Sequence, residues 1–145
     1  DLSIHNGTIF PSSSPTRDRA RVGQRHFFHN PDQHWYNINL TSTDGDEGFA
    51  WAMDAATEII EEYQPDVILL AAGADGHIGS PLAENEFTQV GYKLSAERVV
   101  ELANRYANGR VLIGGAGGYQ PYKETPETWA NVVGTIYRGT VGGEN

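Results

Sequence analysis

A short apolar run near the middle of the chain constrains the fold more than any other sequence feature. Val67 to Ala72 is uninterrupted by polar residues, and Pro65 and Asp66 precede it. The run is far too short to span a membrane as a helix, which requires about 20 residues. Strands without polar residues are typical of parallel sheets, in which helices cover both faces. The run therefore predicts a buried strand in an α/β protein.

The rest of the chain predicts an alternation of strands and helices around that strand. Apolar and polar residues alternate, as in half-buried strands, or apolar residues recur at three- and four-residue steps, as in amphipathic helices. The further strands are predicted at 2–5, 35–40 and 110–114, and the helices at 46–64, 88–107 and 125–137. This order is typical of an open parallel sheet flanked by helices in three layers. The 145 residues are expected to form a single domain, with a long loop at 6–34 and a flexible tail at 139–145.

Composition and charge exclude several classes of function. The chain has no cysteine, which excludes disulfides, thiol nucleophiles and thiolate metal sites. Its net charge of -9 repels phosphate backbones, so we expect no nucleic-acid partner. The sequence shows neither a signal peptide nor a membrane-spanning run, so we expect no membrane partner and a cytoplasmic location.

Side chains with catalytic chemistry follow the predicted strands at their carboxyl ends, where open parallel sheets place their functional groups. Asp75 follows the apolar run among glycines, where a carboxylate binds a divalent metal, acts as a base or simply caps a turn. Tyr119 follows the run Gly114 to Gly118, and it either donates its hydroxyl to a developing oxyanion or packs as an ordinary aromatic. The glycine run lacks the P-loop and dinucleotide-binding spacings, which leaves phosphate binding as a minor alternative.

The same strand ends carry the pattern of a known family. Gly73-Ala74-Asp75 with Gly79-Ser80-Pro81-Leu82 is similar to G-x-D-x-x-x-G-D-P-L, and Val111 to Tyr119 is similar to a strand that ends in G-G-G-G-Y. Three further similar segments, at 3–11, 36–40 and 85–92, occur in the matching order. The chain thus resembles the C-terminal half of the zinc-dependent deacetylases, which include histone deacetylases, acetoin-utilisation proteins and acetylpolyamine amidohydrolases. This resemblance implies the arginase–deacetylase fold.

The resemblance also implies the chemistry of the site. Zinc is the implied cofactor, with Asp75 in the position of a zinc ligand. Tyr119 is in the position of the tyrosine that polarises the amide carbonyl and stabilises the tetrahedral oxyanion. The implied reaction is the hydrolysis of an acetylated amine, such as an acetyl-lysine side chain or an acetylpolyamine.

Further positions match residues that surround the reacting groups in the family. Phe10 and Leu82 match apolar positions that line a narrow acyl-lysine channel, and Gly117-Gly118 matches its glycine wall. Ser3 and Tyr36 match positions associated with structural potassium sites, so potassium is a second implied ion.

Departures from the family pattern limit what this chain supplies. The family's Asp-x-His zinc pair and His-His base pair lie upstream of the segment similar to Ser3 to His5, and this sequence has no counterpart of them. His5 is therefore not expected to be a zinc ligand. Ser80 stands where the family has an aspartate. We expect a partial domain that supplies one of three zinc ligands and the tyrosine, and that is incomplete as an enzyme by itself.

A second interpretation belongs to a different class of function. The missing upstream motifs and Ser80 are compatible with a non-catalytic half-domain that acts as a binding or assembly module. On this interpretation another chain or a second copy covers the strand at 2–5, because exposed strand edges invite pairing.

Overall fold

The computed structural model of the chain describes residues 1–6, 26–30, 34–82 and 85–140. The elements in chain order are β1 (Leu2–Asn6), β2 (His26–Asn30), β3 (Trp35–Leu40), α1 (Asp46–Tyr63), β4 (Ile68–Ala72), α2 (Gln89–Tyr106), β5 (Val111–Gly115) and α3 (Glu124–Gly139). The predicted α/β class is confirmed, with parallel strands flanked by helices. Within the described ranges, none of the helices is long and apolar enough to cross a membrane.

The strands form two sheets. In the first, β3 lies between β1, to which it is parallel, and β2, to which it is antiparallel. In the second, β4 and β5 pair in parallel, with Leu69 opposite Leu112 and Ala72 opposite Gly115. The strand predicted at 2–5 is an edge strand of the first sheet.

Strand β2 corrects the prediction of one continuous loop at 6–34. His26–Asn30 has two adjacent phenylalanines and no strict alternation of apolar and polar residues, so its sequence does not predict a strand. The strand forms because all five of its residues pair with β3. Residues 7–25 and 31–33, the rest of that predicted loop, lie outside the described residues.

The start of α2 agrees with its sequence signal, whereas α3 extends beyond the predicted 125–137 at both ends. Thr88 is the N-cap of α2, where its Oγ1 accepts a hydrogen bond from the Val90 N–H at 3.1 Å. The Thr88 N–H in turn donates to the Asp46 carboxylate at 2.7 Å, which ties the start of α2 to the start of α1. Helix α3 continues to Gly139, so the predicted tail begins later than 139, and 141–145 lies outside the described residues.

The core lies between the three helices and one face of the strands. Helix α2 packs between α1 and α3, and Ile68 and Leu70 of β4 contact the same cluster of buried side chains. The sequence periodicity predicts Val90, Leu94, Val99, Leu102 and Tyr106 on the buried side of α2. Val99 and Leu102 are buried and Tyr106 is half-buried, but Val90 and Leu94 are 62% and 52% exposed. The buried stripe joins Val99 and Leu102 to Tyr92, Ala96 and Ala103 at helical spacing, on the side of α2 away from Val90.

The other face of the β4–β5 sheet is exposed. Leu69 and Leu112 are 71% and 66% exposed, and Ala71 and Gly114 are also exposed. The expectation that helices cover both faces of β4 is therefore wrong for the described residues. The reason is that α1, α2 and α3 all contribute to the single core on the opposite face.

Candidate active site

Two loops meet at the carboxyl ends of β4 and β5. Because Ala72 is opposite Gly115 in the parallel pair, the Asp75 loop (residues 73–82) and the glycine loop (residues 116–120) start at the same edge of the sheet. The backbone N–H of Ala74 donates to the Gly117 carbonyl at 2.6 Å. This hydrogen bond holds the two loops together.

The Asp75 carboxylate lies against the backbone of the glycine loop. A Cβ atom added at Gly117 would come within 2.6 Å of Asp75 Oδ1, and one added at Gly73 would come within 2.8 Å of the same atom. Both distances are far below an ordinary van der Waals contact, so a methyl group at either position would displace the Asp75 carboxylate. The two glycines thus form a cradle that fixes the position of the carboxylate. A phosphate bound to this part of the loop would be repelled by Asp75, which counts against the phosphate-binding alternative.

Tyr119 projects from a backbone that is anchored on both sides, and the residue is 50% exposed. On one side, a Cβ atom added at Gly118 would come within 2.6 Å of Thr125 Cγ2. On the other side, the Gln120 N–H donates to Thr125 Oγ1 at 3.1 Å, and the Gln120 carbonyl accepts from the Thr125 N–H at 3.1 Å. The first turn of α3 therefore holds the backbone around Tyr119 and leaves its side chain accessible.

The remaining predicted site residues do not all come together. Leu82 is 60% exposed in the Asp75 loop, whereas Phe10 lies outside the described residues. Ser3 and Tyr36 lie on the paired strands β1 and β3, but the register places their side chains on opposite faces of the sheet. The two side chains therefore do not form one shared potassium site. The Ser3 hydroxyl is hydrogen-bonded to His5 Nδ1 at 3.0 Å.

A buried tyrosine supports the Asp75 loop from the core side. Tyr92 is 6% exposed, and its hydroxyl accepts a hydrogen bond from the Gly76 N–H. Burial raises the pKa of the Tyr92 phenol far above its usual value, and the negative charge of Asp75 raises it further. The phenol consequently stays neutral. Its ring lies edge-on to Phe49 at 5.5 Å and to Phe87 at 6.1 Å.

The role of Tyr92 is not evident from the sequence. Gly91-Tyr92 belongs to the segment at 85–92 that resembles the deacetylases, and this was the only signal. The apolar periodicity of α2 does not distinguish a phenol that packs under a functional loop from one that fills the core.

A histidine and a glutamate also border the Asp75 loop. The Gly79 N–H donates to His77 Nδ1 at 3.0 Å, so this ring nitrogen is already engaged. The Glu124 side chain packs where a Cβ atom at Gly79 would lie, 2.7 Å from Glu124 Cγ. A backbone N–H at the start of α3 donates to the Glu124 carboxylate, and Lys123 lies 3.3 Å from it; both favour the charged form and lower the pKa of Glu124.

The donor set for a metal is incomplete. Across 1–6, 34–82 and 85–140, no group of three or more His, Asp and Glu side chains could hold a metal ion. A catalytic zinc ion usually has three protein ligands and one open position. The cradled carboxylate of Asp75 suits one such ligand because the glycines already hold it in place. The described residues do not supply the rest of the set.

Comparison with known proteins identifies relatives of this chain. Residues 1–136 match the histone deacetylase domain. A probable deacetylase of Archaeoglobus fulgidus is 30% identical over 101 residues, and the acetoin utilization protein AcuC of Bacillus subtilis is 33% identical over 98 residues. The matches cover 69% and 67% of this chain but 28% and 25% of the two relatives. The chain thus spans about a quarter of the length of these curated relatives.

Solved structures share the fold. The HD domain of HDA15 matches 98% of this chain with a TM-score of 0.72 and 22% sequence identity. The acetylpolyamine aminohydrolase of Burkholderia pseudomallei matches 96% of it with a TM-score of 0.74 and 18% identity. In each case the matched part is 38% of the solved chain. With the matched domain extending over nearly its whole length, this chain belongs to the histone deacetylase family.

Proposed function

We propose that this chain forms part of a zinc-dependent amide deacetylase that acts on acetylated amines, with Tyr119 as a catalytic residue and Asp75 as a zinc ligand. Membership of the histone deacetylase family supports the reaction class. The contact between the two loops supports the choice of residues. The Asp75 carboxylate rests on Gly117, which precedes Tyr119 by two positions in the same anchored loop.

The proposed role of Tyr119 follows from the charge that develops during amide hydrolysis. Attack on an acetamide gives a tetrahedral intermediate whose former carbonyl oxygen carries negative charge. The Tyr119 hydroxyl donates a hydrogen bond to that oxygen from a backbone that Thr125 already fixes. Removing one such donor typically lowers the rate by about 10²- to 10³-fold. Leu82 contacts the acyl-amine chain, and Gly117-Gly118 leaves space for a slender substrate.

The proposed metal is zinc, which supplies Lewis acidity and lowers the pKa of a bound water molecule. Asp75 is the ligand that this chain contributes. The described residues complete no three-ligand set. The other zinc ligands and the general base therefore come from residues outside the described ranges or from another polypeptide. The described residues by themselves are therefore expected to be inactive. Potassium binding at Ser3 and Tyr36 remains part of the proposal, as two separate positions.

A chimera tests the catalytic role of Tyr119. This chain replaces the similar region of the Archaeoglobus fulgidus probable deacetylase, and hydrolysis of an acetyl-lysine reporter is measured together with zinc content. Tyr119→Phe should lower kcat/KM by about 10²-fold and leave the zinc content unchanged, because it removes only one hydrogen-bond donor. The matched control is Tyr122→Phe, which removes a neighbouring phenol that is 95% exposed. Equal kcat/KM for the parent chimera and Tyr119→Phe would remove Tyr119 from the mechanism.

The second candidate function is a non-catalytic binding or assembly module. The incomplete donor set and the exposed face of the β4–β5 sheet favour it. Zinc content distinguishes the two candidates in the same chimera. A module requires no metal at Asp75, so Asp75→Asn would leave the zinc content unchanged, whereas the enzyme proposal requires it to fall.

A further inference from the structure

An indole group of α3 meets the ends of β4 and β5 where the two loops of the candidate site begin. Trp129 donates its Nε1–H to the Ala72 carbonyl at 2.8 Å. Ala72 is the last residue of β4, and the same carbonyl accepts from the Ala116 N–H at 3.3 Å. The indole is therefore bonded to the last carbonyl of one strand and, through that carbonyl, linked to the first residue of the glycine loop.

The indole ring also packs on β5. A Cβ atom added at Gly115 would come within 3.2 Å of Trp129 Cζ2, which is tighter than an ordinary contact. Gly115 lies opposite Ala72 in the parallel pair, so the ring covers one strand while its Nε1–H reaches the other. Trp129 thus touches both strands at the same position of their register.

The reacting groups of the proposed site follow these strand ends closely. Asp75 comes three positions after Ala72, and Tyr119 comes three positions after Ala116. Three residues can absorb little of a movement of the strand end from which they start. A shift of one strand relative to the other would therefore change the position of Tyr119 relative to Asp75.

Helix α3 holds the glycine loop on both sides of the tyrosine. Thr125 binds the Gln120 N–H downstream of Tyr119, and Trp129 contacts Gly115 upstream of it. Thr125 and Trp129 are four positions apart in the helix, so they lie on one of its faces. The backbone that carries Tyr119 thus runs between two contacts to a single helix.

We infer that Trp129 is a positioning residue, whose indole N–H keeps Tyr119 in place relative to Asp75. This inference rests on the proposed function, in which the two groups act on the same acetamide. An ordinary core aromatic needs only apolar contacts, and phenylalanine also provides those. A hydrogen bond adds a preferred length and direction, which an apolar contact lacks. That bond ties the end of β4 to α3, the helix that also anchors the glycine loop.

The activity test uses the zinc-loaded chimera and the acetyl-lysine reporter. Trp129→Phe keeps an aromatic ring and removes the indole N–H. We expect it to lower kcat about tenfold, because a small displacement of a catalytic group slows the reaction. KM and zinc content should stay unchanged, because neither Leu82 nor the glycine cradle of Asp75 is altered.

The matched control removes a different hydrogen bond from the same helix. Thr128 is buried beside Trp129, and its Oγ1 accepts from Gln89 Nε2 at 2.9 Å, which joins α3 to α2. Thr128→Val should therefore lower the urea midpoint about as much as Trp129→Phe does, yet it should keep the kcat of the parent chimera. Equal losses of kcat in the two variants would mean that Trp129 has only a structural role, and would overturn the inference.

A double-mutant cycle tests whether Trp129 acts through Tyr119. In the Tyr119→Phe background, Trp129→Phe should lower kcat by less than about twofold, because the group that it positions is already lost. Additive losses would overturn the inference. If Trp129→Phe unfolds the chimera, the replacement of Trp129 by benzothienylalanine keeps the ring shape and substitutes sulfur for the N–H. This analogue should show the same loss of about tenfold, and an unchanged kcat would overturn the inference.

Hydrogen–deuterium exchange in the chimera tests the inference without catalysis. The Ala74 N–H donates to the Gly117 carbonyl and joins the two loops. Peptides that cover 73–76 and 116–120 should exchange at least about tenfold faster in Trp129→Phe than in the parent chimera, and should not change in Thr128→Val. Unchanged exchange in Trp129→Phe would overturn the inference whatever the role of Tyr119. Faster exchange, with equal kcat/KM for the parent and Tyr119→Phe, would overturn the proposed function and leave the anchoring by Trp129 standing.

Discussion

The two faces of the β4–β5 sheet differ although the same two apolar runs form them. On the core face, the partly buried Ile68, Leu70, Val111 and Ile113 pack against the buried cluster. On the outer face, Leu69 and Leu112 are mostly exposed. Since successive strand residues point to opposite faces, each run contributes equally to both. The comparison teaches that half of the apolar side chains in these strands are not used by the core of the described chain.

Substitution of adjacent residues of β5 tests this comparison most strongly. Ile113→Ala should lower the free energy of unfolding by about 2 kcal/mol, because it leaves a cavity on the core face. Leu112→Ala should change it by less than about 0.5 kcal/mol in the isolated chain, because the Leu112 side chain is exposed. Urea denaturation of the two variants measures both values. Equal losses would show that the outer face is covered within the chain and would abolish the difference between the faces.

The sequence predicts the order of elements well because periodicity and caps are local signals. Thr88 begins α2 as an N-cap, and Pro65 follows the end of α1 closely, so the predicted and observed ends of these helices differ by no more than one residue. The strand β2 could not be predicted, because its backbone pairing with β3, and not the pattern of its side chains, specifies it. The exposure of Leu69 could not be predicted either. An apolar run looks the same whether its second layer is part of the described chain or not.

Two nearby glycines give the second test. Gly117 lies against Asp75 in the candidate site, whereas Gly114 lies on the exposed face of the sheet. A methyl group at Gly117 would collide with the Asp75 carboxylate, whereas one at Gly114 would enter open space. Gly117→Ala should therefore lower the free energy of unfolding by about 1 to 2 kcal/mol, which is the usual cost of overpacking. Gly114→Ala should be neutral or stabilise slightly, because it reduces the freedom of the unfolded chain.

Neither glycine has a positive φ angle, so backbone strain does not confuse this test. Urea denaturation again gives the free energies. In the chimera, Gly117→Ala should also lower the zinc content because it displaces Asp75, and Gly114→Ala should not. A Gly117→Ala variant as stable as the wild type would mean that the cradle does not hold the carboxylate.

The sequence predicts where the candidate site lies but not the contacts that hold its residues in place. The rule that functional groups follow the carboxyl ends of parallel strands leads directly to Asp75 and Tyr119, and the structure joins their loops. The contacts that hold them involve Thr125, in the first turn of α3, and Tyr92, in α2. Such contacts depend on how α2 and α3 pack, and no local pattern in the sequence specifies that packing.

The smallest expected effect concerns Tyr92, which supports the Asp75 loop from the core side. Tyr92→Phe removes the acceptor for the Gly76 N–H and should lower the free energy of unfolding by about 1 kcal/mol at neutral pH. The difference should depend on pH. Burial raises the pKa of Tyr92 in the folded state, so above pH of about 10 the phenol ionises in the unfolded chain but not in the folded one. The wild type therefore loses stability as the pH rises, and the variant lacks this loss.

Urea denaturation of both proteins between pH 7 and pH 11 measures this difference. The free energies of the wild type and Tyr92→Phe should converge as the pH rises above about 10, because the phenylalanine variant has no phenol to ionise. The exposed tyrosine gives the control: Tyr122 is 95% exposed, so Tyr122→Phe should follow the wild type at every pH. A constant gap between the wild type and Tyr92→Phe across this range would mean that the phenol ionises equally in both states. The Tyr92 phenol beside the Asp75 loop would then be in contact with water, so the core side of the site would be as accessible to water as its outer side.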